Sequence, residues 1–205
     1  MMRLVFMLLI GLLLLGCKKN NAALKNGDFL FLIASDEGLG QAINAVTEGD
    51  SIRNYAHQGL LQIEGTDTFV WHSAPKKGVV KESIRAFQTD DEGALRQMHV
   101  YRLPDSMSKH LPIIWKRANV LLGKPYNETY IMEDDGFYCS EFVYALYSTY
   151  GIFDLKPMTF TDEKTGQIPA SWTEHYQKLG IQIPEGKPGC NPNGMAGSPY
   201  LRRVR

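Results

Sequence analysis

Three side chains of this sequence could together carry out nucleophilic catalysis, namely the thiol of Cys139 and the imidazoles of His57 and His72. A thiolate attacks a carbonyl carbon, an imidazole takes the thiol proton, and a further polar group orients that imidazole. Residues 136–147 (GFYCSEFVYALY) place Cys139 where a helically spaced apolar run begins. Backbone N–H groups in a first helical turn favour a thiolate, lower its pKa and could hold an oxyanion. The alternative is a small buried side chain in a core helix.

The two histidines lie in predicted strands that a turn joins. The runs HQGLLQI (57–63) and TFVWH (68–72) flank Glu64-Gly65-Thr66-Asp67, a composition typical of turns. If the loop has an even number of residues, His57 and His72 project from the same face as opposed or diagonal neighbours. One imidazole could then be the base while the other fixes its tautomer. An odd loop would separate them, and two surface histidines are the structural alternative.

Two other uses of Cys139 have to be considered. Zinc could bind Cys139 with the two histidines, but the sequence has no obvious fourth ligand and no HxxxH or CxxC spacing. We therefore expect no metal and no cofactor. In an oxidising compartment, Cys139 could instead form a disulfide with Cys190.

Apolar patterns elsewhere predict the elements that must position these residues. Besides the hairpin, we expect one domain over residues 27–205, with no internal repeat or linker to support a second. The Pro- and Gly-rich stretch from Pro184 to Pro199 is expected to pack back over the sheet. The predicted strands are residues 28–34 and 98–103, and the predicted helices are residues 109–122, 139–150 and 170–179, with a possible helical turn at 41–46.

The composition is that of an ordinary globular protein. The chain has 205 residues, 44% of them hydrophobic and 21% charged, with a formal net charge of +0. No basic stripe could follow a phosphate backbone, so nucleic acid is not an expected partner.

The N-terminus has the layout of an export signal. Arg3 precedes the apolar run Leu4 to Leu15, which is too short to span a bilayer comfortably. The ending Leu14-Leu15-Gly16-Cys17 resembles the lipobox of bacterial lipoproteins, which implies cleavage before Cys17 and its acylation. Residues 1–16 would then be a signal peptide and 17–26 a tether, with the protein lipid-anchored in the bacterial cell envelope, on the periplasmic or surface side. An ordinary signal peptide or a short uncleaved anchor is the alternative.

Several short motifs, in their order along the chain, resemble the YiiX-like permuted papain-like amidases of the NlpC-type cysteine peptidase superfamily. Ordinary papain-like enzymes have the Cys helix before the His strands, whereas here the order is reversed. The matching pieces are Gly27-Asp28, Asp50-Ser51, His57-Gln58-Gly59, Trp71-His72-Ser73-Ala74, Gly78-Val79, Gly123-Lys124-Pro125-Tyr126 and Tyr138-Cys139-Ser140-Glu141.

The resemblance implies a fold and a role for each matching residue. The fold would be α+β, a circularly permuted papain-like domain whose antiparallel sheet precedes the Cys helix. Cys139 would be the nucleophile, His57 the general base and later acid, His72 the orienting residue, and Tyr126 a donor near the oxyanion. Members of this branch often have Glu at the third position. A neutral His72 would stabilise the His57 imidazolium less than a carboxylate does.

The implied activity is that of a cysteine-dependent hydrolase, an amidase or peptidase that forms a thioester intermediate. An amide-bonded envelope substrate such as a peptidoglycan peptide fits the expected location. A lipid-directed acyltransferase, thioesterase or esterase with the same site remains an alternative, because apolar residues near the site could line a lipid pocket or simply form core. A non-catalytic envelope lipoprotein used for binding is the third possibility.

Overall fold

The computed structural model describes residues 22–34, 38–47 and 54–205. Within them the chain forms eight strands, six α-helices and a 3-10 helix at Asp105–His110. The strands are β1 (Phe29–Ile33), β2 (Tyr55–Glu64), β3 (Asp67–Ala74), β4 (Gly78–Ser83), β5 (Met98–Arg102), β6 (Lys156–Pro157), β7 (Pro188–Gly189) and β8 (Arg202–Arg203). The helices are α1 (Gly38–Val46), α2 (Ile84–Gln88), α3 (Leu111–Leu121), α4 (Cys139–Tyr147), α5 (Ala170–Leu179) and α6 (Pro192–Ala196).

Six of these strands form one antiparallel sheet in the order β4-β3-β2-β1-β5-β8. Strands β1 to β4 precede the helix that begins at Cys139, which is the order that the resemblance implies. The α+β class and the antiparallel sheet are therefore confirmed.

The two faces of the sheet are covered differently. The larger apolar cluster joins one face to α4 and includes Phe29, Phe31 and Leu60 with Phe142 and Leu146. The smaller cluster lies on the opposite face, where Phe87 of α2 packs over side chains of the central strands. Because side chains alternate along a strand, His57 and His72 share the second face with Leu61 and Val70.

The Gly27-Asp28 motif anchors the start of β1 to β5. Asp28 is fully buried, and its two carboxylate oxygens accept from Nε and Nη2 of Arg102 at 2.6 and 2.7 Å. The hydrogen bonds to Asp28 raise the pKa of Arg102. A bidentate pair of this kind satisfies the charge that burial would otherwise penalise.

Most of the predicted elements are present. The hairpin and the helix at Ala170–Leu179 are confirmed, whereas the predicted helix at 109–122 divides into a 3-10 turn followed by α3. The sequence patterns did not identify β4 or α2. The stretch from Pro184 to Pro199 does contact the sheet, since Asn193 Oδ1 accepts from the Tyr55 N–H of β2 at 2.8 Å. After this stretch, β8 pairs with β5.

The N-terminal predictions concern residues that the structure does not describe. The signal peptide at 1–16, the acylated Cys17 and most of the 17–26 tether lie outside the described residues, as do Asp50 and Ser51. Over the described ranges, no helix has both the length and the apolar character that crossing a membrane requires. The single domain over 27–205 stays a prediction.

Candidate active site

The β2–β3 hairpin brings the two histidines into contact. Its turn contains two residues, because Glu64 pairs with Asp67, so the loop has the even length that places both imidazoles on one face. His57 Nε2 and His72 Nδ1 are 2.8 Å apart, and the ring centroids are separated by 5.0 Å. Because Nε2 of His57 is engaged in this hydrogen bond, the other ring nitrogen, Nδ1, is available to take a proton.

Glu82 continues this hydrogen-bonded chain and was missed by the sequence reasoning. His72 Nε2 lies 3.0 Å from Glu82 Oε1, and the other oxygen of Glu82 accepts from Lys77 Nζ at 2.9 Å. The hydrogen bond to His72 is the main reason that the pKa of Glu82 falls to about 2. Glu82 therefore supplies a carboxylate at the end of this hydrogen-bonded chain. This corrects the expectation that no negative charge supports the base.

The β3–β4 register places Glu82 beside His72. His72 pairs with Val80, so Glu82, two residues further along β4, lies on the same face as a diagonal neighbour. The alternation of side chains along Gly78–Ser83 could have placed Glu82 on the face of His72 only if the β3–β4 register had been known. The sequence patterns did not identify that hairpin.

The glycine of the His57-Gln58-Gly59 motif has a steric role. Gly59 shares the face of the two imidazoles. A Cβ placed on it would lie 2.5 Å from Val70 Cγ1 and 3.1 Å from His72 Cβ. A side chain there would displace Val70 and press against His72, so glycine leaves room for the contact between the imidazoles.

Cys139 lies where β2 and β3 separate. Their pairing runs from Glu64 to Leu60 on β2 and stops there, although β2 continues to pair with β1. The backbone N–H of Gln58, next to His57 in the part of β2 that no longer pairs with β3, donates toward the Cys139 sulfur. Ser73, in the matching part of β3, donates from Oγ to Phe137 O at 2.5 Å and ties the start of α4 to that strand. The start of α4 thus approaches both histidine strands.

The motif Tyr138-Cys139-Ser140-Glu141 forms the start of α4. Glu141, buried in the first turn, accepts from the Tyr138 N–H and from Asn127 Nδ2, each at 3.1 Å. A Glu three residues after the N-cap satisfies a backbone donor that the helix leaves unpaired. Burial raises the pKa of Glu141 to about 7. The motif therefore fixes the helix end on which the thiol sits.

The free protein holds Cys139 and His57 in their neutral forms. Burial raises the pKa of the Cys139 thiol to about 11, although the N–H groups of Gln58 and Ser140 act in the opposite direction. Burial also lowers the pKa of His57 well below 6.5, and electrostatic interactions with His72, Arg96 and Lys77 lower it further. The thiol pKa is thus raised where the helix N-terminus alone predicted a lowered one, because desolvation outweighs the helix donors. Among the described residues, no hydrogen bond joins Cys139 to His57.

Tyr126 is held beside this thiol by the Gly123-Lys124-Pro125-Tyr126 segment. That segment pairs with the start of β4, since the Gly123 N–H donates to Val79 O at 2.9 Å and the Val79 N–H to Lys124 O at 2.8 Å. The hydroxyl of Tyr126 is 3.5 Å from that of Tyr130. Burial raises the pKa of both phenols, so both stay protonated and can donate hydrogen bonds.

A cavity of about 710 Å³ opens beside Cys139. Its apolar lining includes Ile43, Val46, Met158, Phe160 and Trp172, and the three tyrosines Tyr126, Tyr130 and Tyr138 also border it. Charged residues Lys156, Asp162, Glu163 and Lys164 line it as well. Neither His57 nor His72 is among the lining residues.

Cys190 borders the same cavity as a second free thiol. Cys139 and Cys190 are both buried and both unbonded, so the structure contains no disulfide between them. Ser140 donates from Oγ to the Cys190 carbonyl at 3.0 Å, and the Cys190 N–H donates to the Tyr138 hydroxyl at 3.2 Å.

The fold is similar to that of a solved structure. It is the crystal structure of yiiX from Escherichia coli O157:H7, described as a metalloprotein. The TM-score is 0.70 at 22% identity, with 88% of this chain and 96% of that chain covered.

The residues that the structure describes do not form a metal site. Across residues 22–34, 38–47 and 54–205, no group of three or more His, Cys, Asp or Glu side chains could hold one. Both ring nitrogens of His72 are already hydrogen-bonded, one to His57 and the other to Glu82. We therefore assign no metal-dependent step.

Sequence comparison agrees with the likeness in fold. The chain is 27% identical over 184 residues to an uncharacterized protein, YiiX of Escherichia coli K12. The aligned region covers 88% of this chain and 85% of that relative. A family model also matches residues 23–205, nearly all of the described chain. This chain therefore belongs to the Peptidase_C92 family, the permuted papain-like amidase enzymes of the YaeF/YiiX type.

Proposed function

We propose that this protein is a cysteine-dependent amidase or peptidase, with Cys139 as nucleophile and His57 as general base. The observation that carries this proposal is the hydrogen-bonded chain His57–His72–Glu82, which leads to the strand segment next to the thiol. Membership of a permuted papain-like amidase family supports the same class of reaction.

The neutral resting pair favours general-base activation over a preformed ion pair. His57 takes the thiol proton as the Cys139 sulfur attacks the substrate carbonyl, and the carbonyl oxygen becomes an oxyanion. The Cys139 N–H at the helix start and the Tyr126 hydroxyl would donate to that oxyanion. Its collapse expels the amine, which receives the proton from His57, and leaves a thioester that water hydrolyses.

His72 and Glu82 would act through His57. When His57 becomes an imidazolium, its Nε2–H can donate to His72 Nδ1, while His72 donates from Nε2 to the Glu82 carboxylate. The negative charge of Glu82 would then stabilise the positive charge along the chain.

The substrate we propose is an amide-bonded component of the cell envelope, such as a peptidoglycan peptide. The cavity beside Cys139 carries both charge signs, on Lys156, Lys164, Asp162 and Glu163, which suits a peptide with ionised groups. A lipid ester or thioester is the second candidate, because the apolar part of the cavity could take an acyl chain.

The direct test is trapping of the acyl-enzyme. We would incubate the full-length protein in detergent micelles with peptidoglycan stem peptides and, separately, with a fatty acyl thioester, and locate the adduct by mass spectrometry. An adduct on Cys139 that is absent from Cys139→Ala and retained in Cys190→Ala is the expected result. Label from the thioester alone would favour the lipid candidate, and no adduct from either substrate would favour a non-catalytic binding protein.

We also propose that the mature protein is anchored to the envelope membrane through acylated Cys17, as the lipobox-like ending predicts. Mass spectrometry of the mature N-terminus tests this. A diacylglyceryl mass on Cys17, lost in Cys17→Ala, is expected, whereas a chain that retains residues 1–16 or begins at an unmodified residue would contradict it.

A further inference from the structure

Tyr130 has a backbone conformation that a bulky residue rarely adopts. Its φ is +57°, and Lys76 is the other non-glycine residue with a positive φ in the described chain. A large side chain is unfavourable in this left-handed region, so surrounding contacts must hold it there. Such positions are concentrated in functional sites, and Tyr130 is buried beside the cavity that Cys139 borders.

Hydrogen bonds from two helices hold the loop around Tyr130. Asn127 Nδ2 donates to Ile131 O at 2.8 Å and to Glu141 Oε2 at 3.1 Å, which ties the loop to the first turn of α4. On the other side, the Tyr176 hydroxyl donates to Thr129 O at 3.0 Å. The loop is thus anchored to the helix that carries the nucleophile.

Ring contacts fix the direction of the Tyr130 side chain. Its centroid is 5.2 Å from that of Tyr138, 5.4 Å from that of Trp172 and 5.9 Å from that of His175. The packed ring brings its hydroxyl to 3.5 Å from the hydroxyl of Tyr126. A right-handed backbone at Tyr130 would turn the ring away from this cluster, so the strained conformation is linked to the hydroxyl contact.

We propose that Tyr130 is a positioning residue for oxyanion stabilisation and acts through Tyr126. In the tetrahedral intermediate the Tyr126 O–H donates to the oxyanion, and the Tyr130 O–H donates to the Tyr126 oxygen. No proton changes owner, because both phenols remain neutral. Hydrogen bonds in a chain polarise one another, so the second hydroxyl strengthens and orients the first. This inference rests on the proposed function and adds Tyr130 to it.

A double-mutant cycle tests this relation. The proteins compared are the full-length chain, Tyr126→Phe, Tyr130→Phe and the double variant, and each is assayed for acylation of Cys139 by an amide or ester substrate. Tyr126→Phe should lower the acylation rate constant about a hundredfold, as the loss of one oxyanion donor does. Tyr130→Phe keeps the ring and should lower it about threefold to tenfold with little change in KM. The double variant should be no slower than Tyr126→Phe.

Two results would overturn the inference. One is a Tyr130→Phe rate within about twofold of the unmodified protein. The other is a double variant whose loss is the product of the single losses, because Tyr130 would then act independently of Tyr126. The matched control is Tyr147→Phe, a buried tyrosine of α4 that packs on Phe29 and Phe153 in the core, where the rate should not change. If the unmodified protein shows no acylation of Cys139, the proposed function itself fails, which is a distinguishable result.

Discussion

The two thiols that border the cavity, Cys139 and Cys190, are alike in burial and different in partners. Burial raises the pKa of Cys139 to about 11 and that of Cys190 to about 12, and neither residue forms a disulfide with another described cysteine. Cys139 begins a nine-residue helix and receives the N–H of Gln58, next to His57. Cys190 lies in the segment between β7 and α6, with its sulfur 3.8 Å from the Tyr138 hydroxyl.

This comparison shows that burial does not distinguish a candidate nucleophile from a structural thiol. Desolvation disfavours the thiolate form of both residues. They differ in whether a base and donors for an oxyanion lie nearby. Cys139 has a histidine chain and a helix N-terminus nearby, whereas the partners of Cys190 belong to the packing around the start of α4. The following predictions test that distinction.

Removing one thiol or the other should give the largest contrast. Cys139→Ala should lower acyl transfer about 10⁵-fold or to the detection limit, because the covalent intermediate cannot form. Cys190→Ala should retain activity within about threefold, as loss of a small buried thiol affects mainly stability. Steady-state rates and thermal midpoints of both variants provide the check. Equal loss of activity in two folded variants would contradict the distinction.

Removing the base should have the next largest effect. His57→Ala should lower kcat/KM about a thousandfold, within the range for loss of a general base, since no other group takes the Cys139 proton. His110→Ala is the matched control, because His110 packs on Tyr150, which follows the C-terminal end of α4. Activity of His57→Ala comparable to that of the control would exclude His57 as the base.

Neutralising the carboxylate behind His72 should have a moderate effect. Glu82→Gln keeps the size and a hydrogen-bonding group but removes the charge, and should lower kcat about tenfold, as one charged hydrogen bond does. Glu64→Gln is the control, since Glu64 pairs with Lys81 on the exposed end of the hairpin. A kcat for Glu82→Gln equal to that of Glu64→Gln would show that Glu82 does not contribute and that only the two histidines assist Cys139.

The pH dependence of activity should show the smallest effect. The base form of His57 is neutral, and burial with nearby positive charge lowers its pKa below 6.5. Activity should therefore persist as the pH falls through 6.5 and decline only below it. Lys77→Gln removes one of those charges and should move the acid limb upward. The measurement is kcat/KM against pH for both proteins, and an acid limb of the unmodified protein at or above 6.5 would contradict the neutral resting pair.

The separation of β2 from β3 explains why the site could be predicted only in part. His57 and His72 were expected to share a face if the loop between their strands had an even number of residues, because strand side chains alternate every two residues. Cys139 was predicted at a helix start because the apolar spacing changes there to the helical period. Both inferences depend on patterns within a few residues. The opening of the ladder beyond Leu60 depends on the approach of a helix that follows more than seventy positions later.

The sequence alone determined the nucleophile candidate, the histidine pair and the order of strands before helix, and the family resemblance added Tyr126. These inferences depend on local periodicity, on turn length and on short motifs, all of which can be recognised in the sequence without knowledge of the fold. Tertiary structure decided the rest: Glu82 became the carboxylate behind His72 through the β3–β4 register, and Tyr130 reached Tyr126 through packing on α4 and α5. The tertiary structure also raised the pKa of Cys139, whereas the sequence had predicted a lowered one. Desolvation depends on every element packed around a thiol, and no stretch of sequence next to Cys139 contains that information.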